Sequence, residues 1–219
     1  AAVEAQAFQG AAYLTRRSDI SILMERSPAM LPYLDDAAAA VRDAAAASDR
    51  LVSLVSAGEQ PVKERIDTSA STAAAARGAP ASYTPRWRFD LGLRLAAGDL
   101  LAGEKKRAVV YVGTGKLGER AFERYGLSEL AAYLANNGVR FYVVSLGEGA
   151  VDRELAYLCG QTGGAVLPLY RSQGIGAELR RLRDAPEGTY QLSYRSRLPT
   201  DFGRAYLPVE SEVYLLDRS

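Results

Sequence analysis

Three glycines follow an apolar run in the stretch AVVYVGTGKLGER. Gly113, Gly115 and Gly118 have the G-x-G-x-x-G spacing and come directly after Ala108–Val112. Glycine allows a backbone to approach a pyrophosphate closely, and a helix that starts at such a turn favours the anion through its N-terminal N–H groups. The stretch is therefore typical of a dinucleotide-binding site, and it predicts a strand, a turn and then a helix.

The position of this turn along the chain argues against a dinucleotide site. In such a unit the turn follows the first strand, and an acidic residue about 20 residues later binds the ribose. Here the turn follows roughly the fourth predicted strand, and the first acid after the next strand, Glu148, lies well beyond that spacing. Lys116 is followed by Leu117, so a Walker A motif is also excluded. We favour a strand-to-helix turn that needs glycine for backbone freedom, with a nucleotide-binding enzyme as the weaker alternative.

Composition limits the chemistry further. The 219 residues contain no histidine and one cysteine, so imidazole bases, Ser-His-Asp triads, His-bearing metal sites and internal disulfides are excluded. Catalysis would need carboxylates, lysine, tyrosine or a cofactor, and we predict that the chain is not an enzyme. The net charge of +1 gives no reason to expect nucleic acid, and no apolar run has the roughly 20 residues that span a bilayer.

Strand and helix signals alternate from about Asp19 to Asp184. The strand signals are DISILMER, RLVSLVSA, the apolar run before the glycine turn, VRFYVVSLG and AVLPL, and amphipathic segments separate most of them. Because parallel strands need crossover helices, the pattern predicts a Rossmann-like α/β domain over 19–184, with a mostly parallel sheet and helices on both faces. QPVKERI is predicted as an antiparallel edge strand because it contains proline.

Some boundaries are predicted from local signals. Thr84 and Pro85 have the residue types of an N-cap and a first helical position, so a helix is expected to begin there. Leu31 and Leu34 are expected on the buried face of an alanine-rich helix. Cys159 falls on an apolar helical face and is predicted to be a core residue.

The two ends of the chain have a different pattern. GTYQLSYRSRL and RAYLPVESEVYLLDRS alternate with a period of two residues, which predicts a β-hairpin extension over 185–219. Residues 1–18 form an N-terminal extension with a weak strand signal.

Polar side chains follow several of the predicted strands. Glu25 and Ser27 come after the first strand, Thr114 follows the fourth, and Thr84 precedes a helix. Ligands of open α/β sheets bind at the carboxyl ends of the strands, so these side chains are expected to converge. Simpler roles are also plausible: Ser27 and Thr84 as helix caps, and Glu25 as a surface charge paired with Arg26, Arg86 or Arg88.

The motifs ILMERSPAM, SYTPRW and VYVGTG resemble, in this order, the von Willebrand factor A family. That family has Asp-x-Ser-x-Ser after its first strand, a Thr in a loop before the third helix, and an Asp after its fourth strand. By this resemblance Glu25 stands for the first Asp, Ser27 and Ala29 for the two Ser, Thr84 for the loop Thr and Thr114 for the last Asp. LAAYLANNGVRFYVVSLG and ELAYLCGQTGGAVLPL are also similar to the family.

The resemblance implies a metal-ion-dependent adhesion site, and the substitutions argue against one here. Mg²⁺ prefers a compact oxygen shell with carboxylates, whereas this chain lacks a hydroxyl at Ala29 and a carboxylate at Thr114. Glu25 is also one methylene longer than Asp. We expect a degenerate site without a metal or other cofactor; the alternative is weak Mg²⁺ or Mn²⁺ binding by Glu25, Ser27 and Thr84.

The resulting functional prediction is a protein-interaction or assembly module of this family. The resemblance implies that a partner binds across the strand ends near Ser27, Thr84 and Thr114, in an extracytoplasmic (periplasmic or secreted) setting. From the charge balance and the hydropathy we expect no nucleic acid and no membrane insertion. We further expect a set of cations near that face, here called the basic rim, to attract an acidic group of the partner. The rim consists of Arg86, Arg88, Lys116 and Arg120.

Overall fold

The computed structural model describes residues 8–14, 18–46, 52–66, 74–102, 106–168, 174–184 and 188–194. The chain divides into two compact units, one of them Leu14–Thr189 and the other formed by the two terminal stretches. A two-stranded sheet pairs β1 (Phe8–Leu14) with β8 (Gly188–Tyr194). A strand is therefore present in the N-terminal extension. The second strand of the predicted C-terminal hairpin, in 204–219, lies outside the described residues.

The larger unit contains a six-stranded sheet of order β4-β3-β2-β5-β6-β7. Its strands are β2 (Ser18–Glu25), β3 (Val52–Ala57), β4 (Val62–Ile66), β5 (Lys106–Gly113), β6 (Val139–Ser145) and β7 (Val166–Pro168). All neighbouring strands are parallel except β3 and β4, which form the predicted antiparallel edge. The α/β prediction with a mostly parallel sheet is confirmed.

Helices flank this sheet. They are α1 (Leu34–Ala46), α2 (Phe89–Leu100), α3 (Leu127–Asn136), α4 (Arg153–Thr162) and α5 (Gly174–Asp184), with 3-10 turns at Pro28–Tyr33 and Pro80–Ser82. Within the described ranges, every helix is too short or too polar to cross a bilayer.

The core has two apolar layers, one on each face of the sheet. Ile22 and Met24 of β2 lie in the layer that contains residues of α1 and α5, whereas Leu23 of the same strand lies in the layer that contains residues of α2 and α3 on the opposite face. Alternate residues of a strand point to opposite faces, so a strand covered on both sides is apolar throughout. Cys159 lies in the second layer, as predicted.

Three local predictions are wrong. The helix expected at Thr84 begins at Phe89, and residues 114–126 contain no helix after the glycine turn. Leu31 lies in the 3-10 turn and remains 47% exposed instead of facing the core. In the first case the backbone N–H groups of Thr84 and Arg88 donate to carbonyls of distant segments, at 2.8 and 2.9 Å, which holds the intervening residues out of a helix.

The register of β2 and β5 brings the sequence-predicted residues together. Leu23 lies opposite Tyr111 and Met24 opposite Val112, so both parallel strands end at the same edge of the sheet. Glu25 and Gly113, the last residues of these strands, are therefore neighbours, and the Glu25 side chain reaches Tyr111, which is 86 positions away in the sequence.

Candidate functional site

Glu25 is the centre of the strand-end site. Its side chain is withdrawn from solvent, with the residue 1% exposed. The carboxylate accepts hydrogen bonds from Tyr111 Oη at 2.6 Å, from the Thr114 backbone N–H at 2.7 Å and from Thr114 Oγ1 at 3.1 Å. Ser27 Oγ donates a further hydrogen bond to it. The structure thus brings Glu25, Ser27 and Thr114 together, and the interpretation of Glu25 as a surface charge paired with arginine is wrong.

The donors around Glu25 are hydroxyls and one backbone amide. Burial raises the pKa of the Glu25 carboxyl, and the hydrogen bonds from Ser27, Tyr111 and Thr114 offset this only in part, so the pKa stays above its usual value. Burial and the nearby Glu25 carboxylate raise the pKa of Tyr111 well above 10, which keeps its hydroxyl a donor. Among the described residues, the groups that solvate this buried carboxyl are the neutral donors Ser27, Tyr111 and Thr114.

The glycines after β5 serve this cluster. A Cβ on Gly113 would collide with both Tyr111 Oη and Glu25 Oε2. Gly115 has a φ of +80°, and a Cβ there would lie 2.7 Å from Ser145 Oγ. The first two glycines of the G-x-G-x-x-G spacing are therefore explained by close packing and a left-handed backbone. The described structure also lacks the helix that a phosphate would need at this turn.

The prediction that Ser27 and Thr84 cap helices with their side chains is wrong. Ser27 occupies the N-cap position of the first 3-10 turn but makes no capping hydrogen bond with its side chain, and its hydroxyl instead donates to Glu25. Thr84 Oγ1 accepts the backbone N–H of Arg86 at 3.1 Å, and the Thr84 N–H donates to the Arg26 carbonyl at 2.8 Å. Thr84 thus lies next to the segment that follows β2, as the resemblance implies, while Ala29 is exposed to solvent.

Arg26 positions the loop that carries Thr84, a role that the sequence interpretation missed. The guanidinium is buried and donates to Ser56 Oγ at 2.9 and 3.1 Å, to Tyr83 Oη at 2.8 Å and to the carbonyls of residues 75–76. Carbonyl and hydroxyl oxygens thus satisfy a buried charge, which would otherwise be costly. The strand that supplies Glu25 therefore also anchors the segment leading to Thr84.

Asp90, at the start of α2, is a second buried carboxylate that was missed. It accepts bidentate hydrogen bonds from Arg88 at 2.9 and 3.1 Å and the backbone N–H groups of Leu91, Arg124 and Tyr125 at 2.7–3.2 Å. Burial raises its pKa, but Arg88 and the three amides more than offset this, so the pKa lies below the usual 3.8. Asp90 therefore ties the loop after the glycine turn to α2.

The basic rim is paired with acids. Arg88 is buried against Asp90 and is not a surface cation, which corrects its assignment to the rim. The other three are exposed or partly exposed, and each has an acidic neighbour: Arg86 with Glu59 at 3.6 Å, Lys116 with Asp152 at 3.2 Å and Arg120 with Glu123 at 2.6 Å. Exposed pairs of this kind contribute about 0–1 kcal/mol, so a competing carboxylate can displace them at little cost.

The donor set at the strand ends fits a divalent cation poorly. Within the described ranges, no group of three or more His, Cys, Asp or Glu side chains is arranged to hold a metal ion. The oxygens of Glu25 already accept hydrogen bonds from Ser27, Tyr111 and Thr114, and Thr84 directs no hydrogen bond to that carboxylate. Mg²⁺ requires carboxylate oxygens free to enter a near-octahedral shell.

Comparison with solved structures identifies the fold. No protein-family model and no curated protein matches the sequence. Among solved structures, an aerotolerance-related membrane protein from Bacteroides fragilis is 14% identical, with a TM-score of 0.60 over 75% of this chain and 99% of its own. A von Willebrand factor type A protein from Catenulispora acidiphila is 12% identical, with a TM-score of 0.54 over 83% of this chain and 50% of its own. Manganese-loaded TRAP from Plasmodium vivax is 13% identical, with a TM-score of 0.55 over 88% of this chain and 83% of its own.

The six-stranded, mostly parallel sheet with helices on both faces defines a Rossmann-like α/β domain. Within that class, the solved structures it matches show that the chain has the von Willebrand factor A fold. The fold predicted from the motif order is confirmed.

Proposed function

We propose that this chain is a non-enzymatic protein-interaction module whose strand-end face binds a partner without a metal ion. The observation that carries the proposal is the internal satisfaction of Glu25 by Ser27, Tyr111 and Thr114. A carboxylate engaged in this way has little capacity left to bind a hydrated cation. Partner binding then depends on the protein surface itself.

The surface around the site offers apolar and cationic contacts. Ala29 and Leu31, which follow Ser27 in the chain, are exposed. The side chains of Arg86 and Lys116 are 69% and 57% exposed, and their ion pairs are the weak, solvent-accessible kind. These features suit a partner segment that presents an acidic group next to an apolar one, in the extracytoplasmic setting that the family resemblance implies.

A metal titration tests the metal-free part of the proposal. MgCl₂ and MnCl₂ are titrated into chelator-treated protein by calorimetry and thermal shift. We expect no saturable binding at millimolar concentration. The matched positive control is the triple variant Glu25→Asp, Ala29→Ser, Thr114→Asp, which restores the family's oxygen ligands. Saturable binding to the unmodified chain that disappears in Ser27→Ala would instead establish the metal-dependent alternative.

Site-specific crosslinking tests the interaction part. A photo-reactive residue replaces Leu31 at the site or, as control, Tyr157, which is also exposed but lies on α4. We expect a defined crosslinked protein in source cells from position 31 only, and its loss when Arg86 and Lys116 are both changed to Glu. Equal crosslinking from the two positions, or no change on charge reversal at low salt, would contradict the assignment of the face.

A further inference from the structure

A shallow cavity of about 400 Å³ lies between α2 and the edge strand β4, and the ion pair of Lys63 and Asp99 forms part of its wall. Leu91, Leu95, Gly98 and Tyr125 contribute to its walls, and Leu95 is 38% exposed. The walls are mostly apolar, whereas exposed apolar surface on a protein is usually scattered. This part of α2 therefore has a small exposed apolar surface that the core does not use.

Arg94 supplies a charge at the same cavity. Its guanidinium carbon lies 3.4 Å from the centroid of the Tyr133 ring and 5.9 Å from that of Tyr125. Across the described parts of the chain, no carboxylate forms an ion pair with Arg94, whereas the neighbouring Lys63 is paired with Asp99. A guanidinium held by its face against an aromatic ring keeps its in-plane N–H groups free for an oxyanion.

We propose that this cavity is a second docking site, for a partner peptide that carries a carboxylate side chain next to an aromatic or aliphatic one. Arg94 would receive the carboxylate, and Leu91 and Leu95 would contact the apolar side chain. The open shape favours a peptide over a free small molecule, because small-molecule sites enclose most of their ligand's surface. The site shares no residue with the strand-end face, so its failure would leave the proposed function untouched.

Peptide titration of the full chain tests the proposal. The probe is acetyl-Leu-Glu-Phe-Glu-Leu-amide, and the matched control peptide has Gln at both Glu positions. Binding is followed by ¹H–¹⁵N NMR. We expect shifts at the Arg94 side-chain N–H and the backbone N–H of Gly98, and roughly tenfold weaker binding of the Gln peptide, since charge-assisted hydrogen bonds are the stronger ones.

Two variants locate the binding. Arg94→Gln removes the guanidinium, and Gly98→Leu fills the cavity. A Cβ on Gly98 would meet only Tyr133 Oη, at 4.0 Å, and replacing a helical glycine favours the helix, so this variant is expected to fold. Gly160→Leu on α4 is the matched control, because a Cβ there has nothing within 4 Å. Both cavity variants should weaken binding at least tenfold, and the control should not.

Three results would overturn the proposal. They are no binding of the Glu peptide, equal binding of the Glu and Gln peptides, and affinity unchanged in both Arg94→Gln and Gly98→Leu. Binding of free 4-phenylbutyrate as tightly as the peptide would also overturn it, since the cavity would then be a small-molecule site.

Discussion

Glu25 and Asp90 are two buried carboxylates of the same unit with opposite surroundings. Asp90 faces the guanidinium of Arg88 and three backbone amides, and its pKa is lowered. Glu25 faces the neutral hydroxyls of Ser27, Tyr111 and Thr114 and one amide, and its pKa is raised. Burial raises both pKa values, but the cationic donor Arg88 and three amides more than offset it at Asp90, whereas the donors of Glu25 offset it only in part.

The comparison distinguishes Asp90, a carboxylate with a structural role, from Glu25, which lies where the resemblance puts a metal ligand. Asp90 connects α2 to residues 124–125 and holds the loop that follows the glycine turn. Glu25 stands where the resemblance puts a metal-binding Asp, yet its hydrogen bonds are directed within the chain. A carboxyl group solvated by its own protein can maintain the shape of the strand-end face.

The largest effect is expected from Asp90→Ala. It removes the buried partner of Arg88, which keeps an ion pair with the half-exposed Glu123 at 3.0 Å, and leaves three amides without an acceptor. The free energy of unfolding should therefore fall by about 3 kcal/mol. Urea denaturation measures it, with the exposed Asp43→Ala on α1 as control, expected within about 0.5 kcal/mol of the unmodified chain. A loss below about 1 kcal/mol would show that the Arg88 pair is not a structural anchor.

Glu25→Ala should destabilise less, by about 2–3 kcal/mol, because the groups left without an acceptor are neutral. Tyr111→Phe removes one donor, keeps the ring that packs edge-on against Phe89, and should cost about 1 kcal/mol. Both are compared by urea denaturation at pH 7. If Tyr111→Phe proved the more damaging change, the carboxylate would not be the centre of the cluster.

The smallest effect, and the sharpest test of the comparison, is the pH dependence. A raised pKa in the folded state means that Glu25 lowers stability as the pH rises from the unfolded towards the folded pKa. Glu25→Gln should therefore gain stability relative to the unmodified chain as the pH increases, because the amide carries no charge. Its oxygen can accept from Tyr111 and the Thr114 N–H, and its NH₂ can donate to the hydroxyl oxygen of Ser27. The pH dependence for Asp90 has the opposite sign: its stabilisation is present above the unfolded pKa and is lost as the pH falls through the lowered folded pKa.

Urea unfolding of the unmodified chain, Glu25→Gln and Asp90→Asn from pH 3 to 8 measures both trends. Parallel pH profiles for the two variants would contradict the assignment of opposite pKa shifts.

Much of the fold could be predicted from local patterns. The alternation of buried strands and amphipathic helices, the antiparallel edge at β4 and the core position of Cys159 follow from periodicity and from proline and glycine placement. The start of α2 could not be predicted. Thr84 and Pro85 have the residue types of a helix start. However, the backbone N–H groups of Thr84 and Arg88 donate hydrogen bonds to the carbonyls of Arg26 and Gly58, which are distant in sequence.

The sequence by itself determined the order of the elements and the set of polar residues that follow the strands. It also contained Glu25 at the position where the resemblance to the von Willebrand factor A family puts an Asp, and the glycines whose roles remained open between phosphate binding and packing. Only the tertiary structure decided what Glu25 contacts. Tyr111 becomes its donor because β2 and β5 are adjacent and in register, and Gly113 leaves the space that this contact needs. Hydrogen-bond partners so distant in sequence depend on strand pairing, which no local pattern encodes.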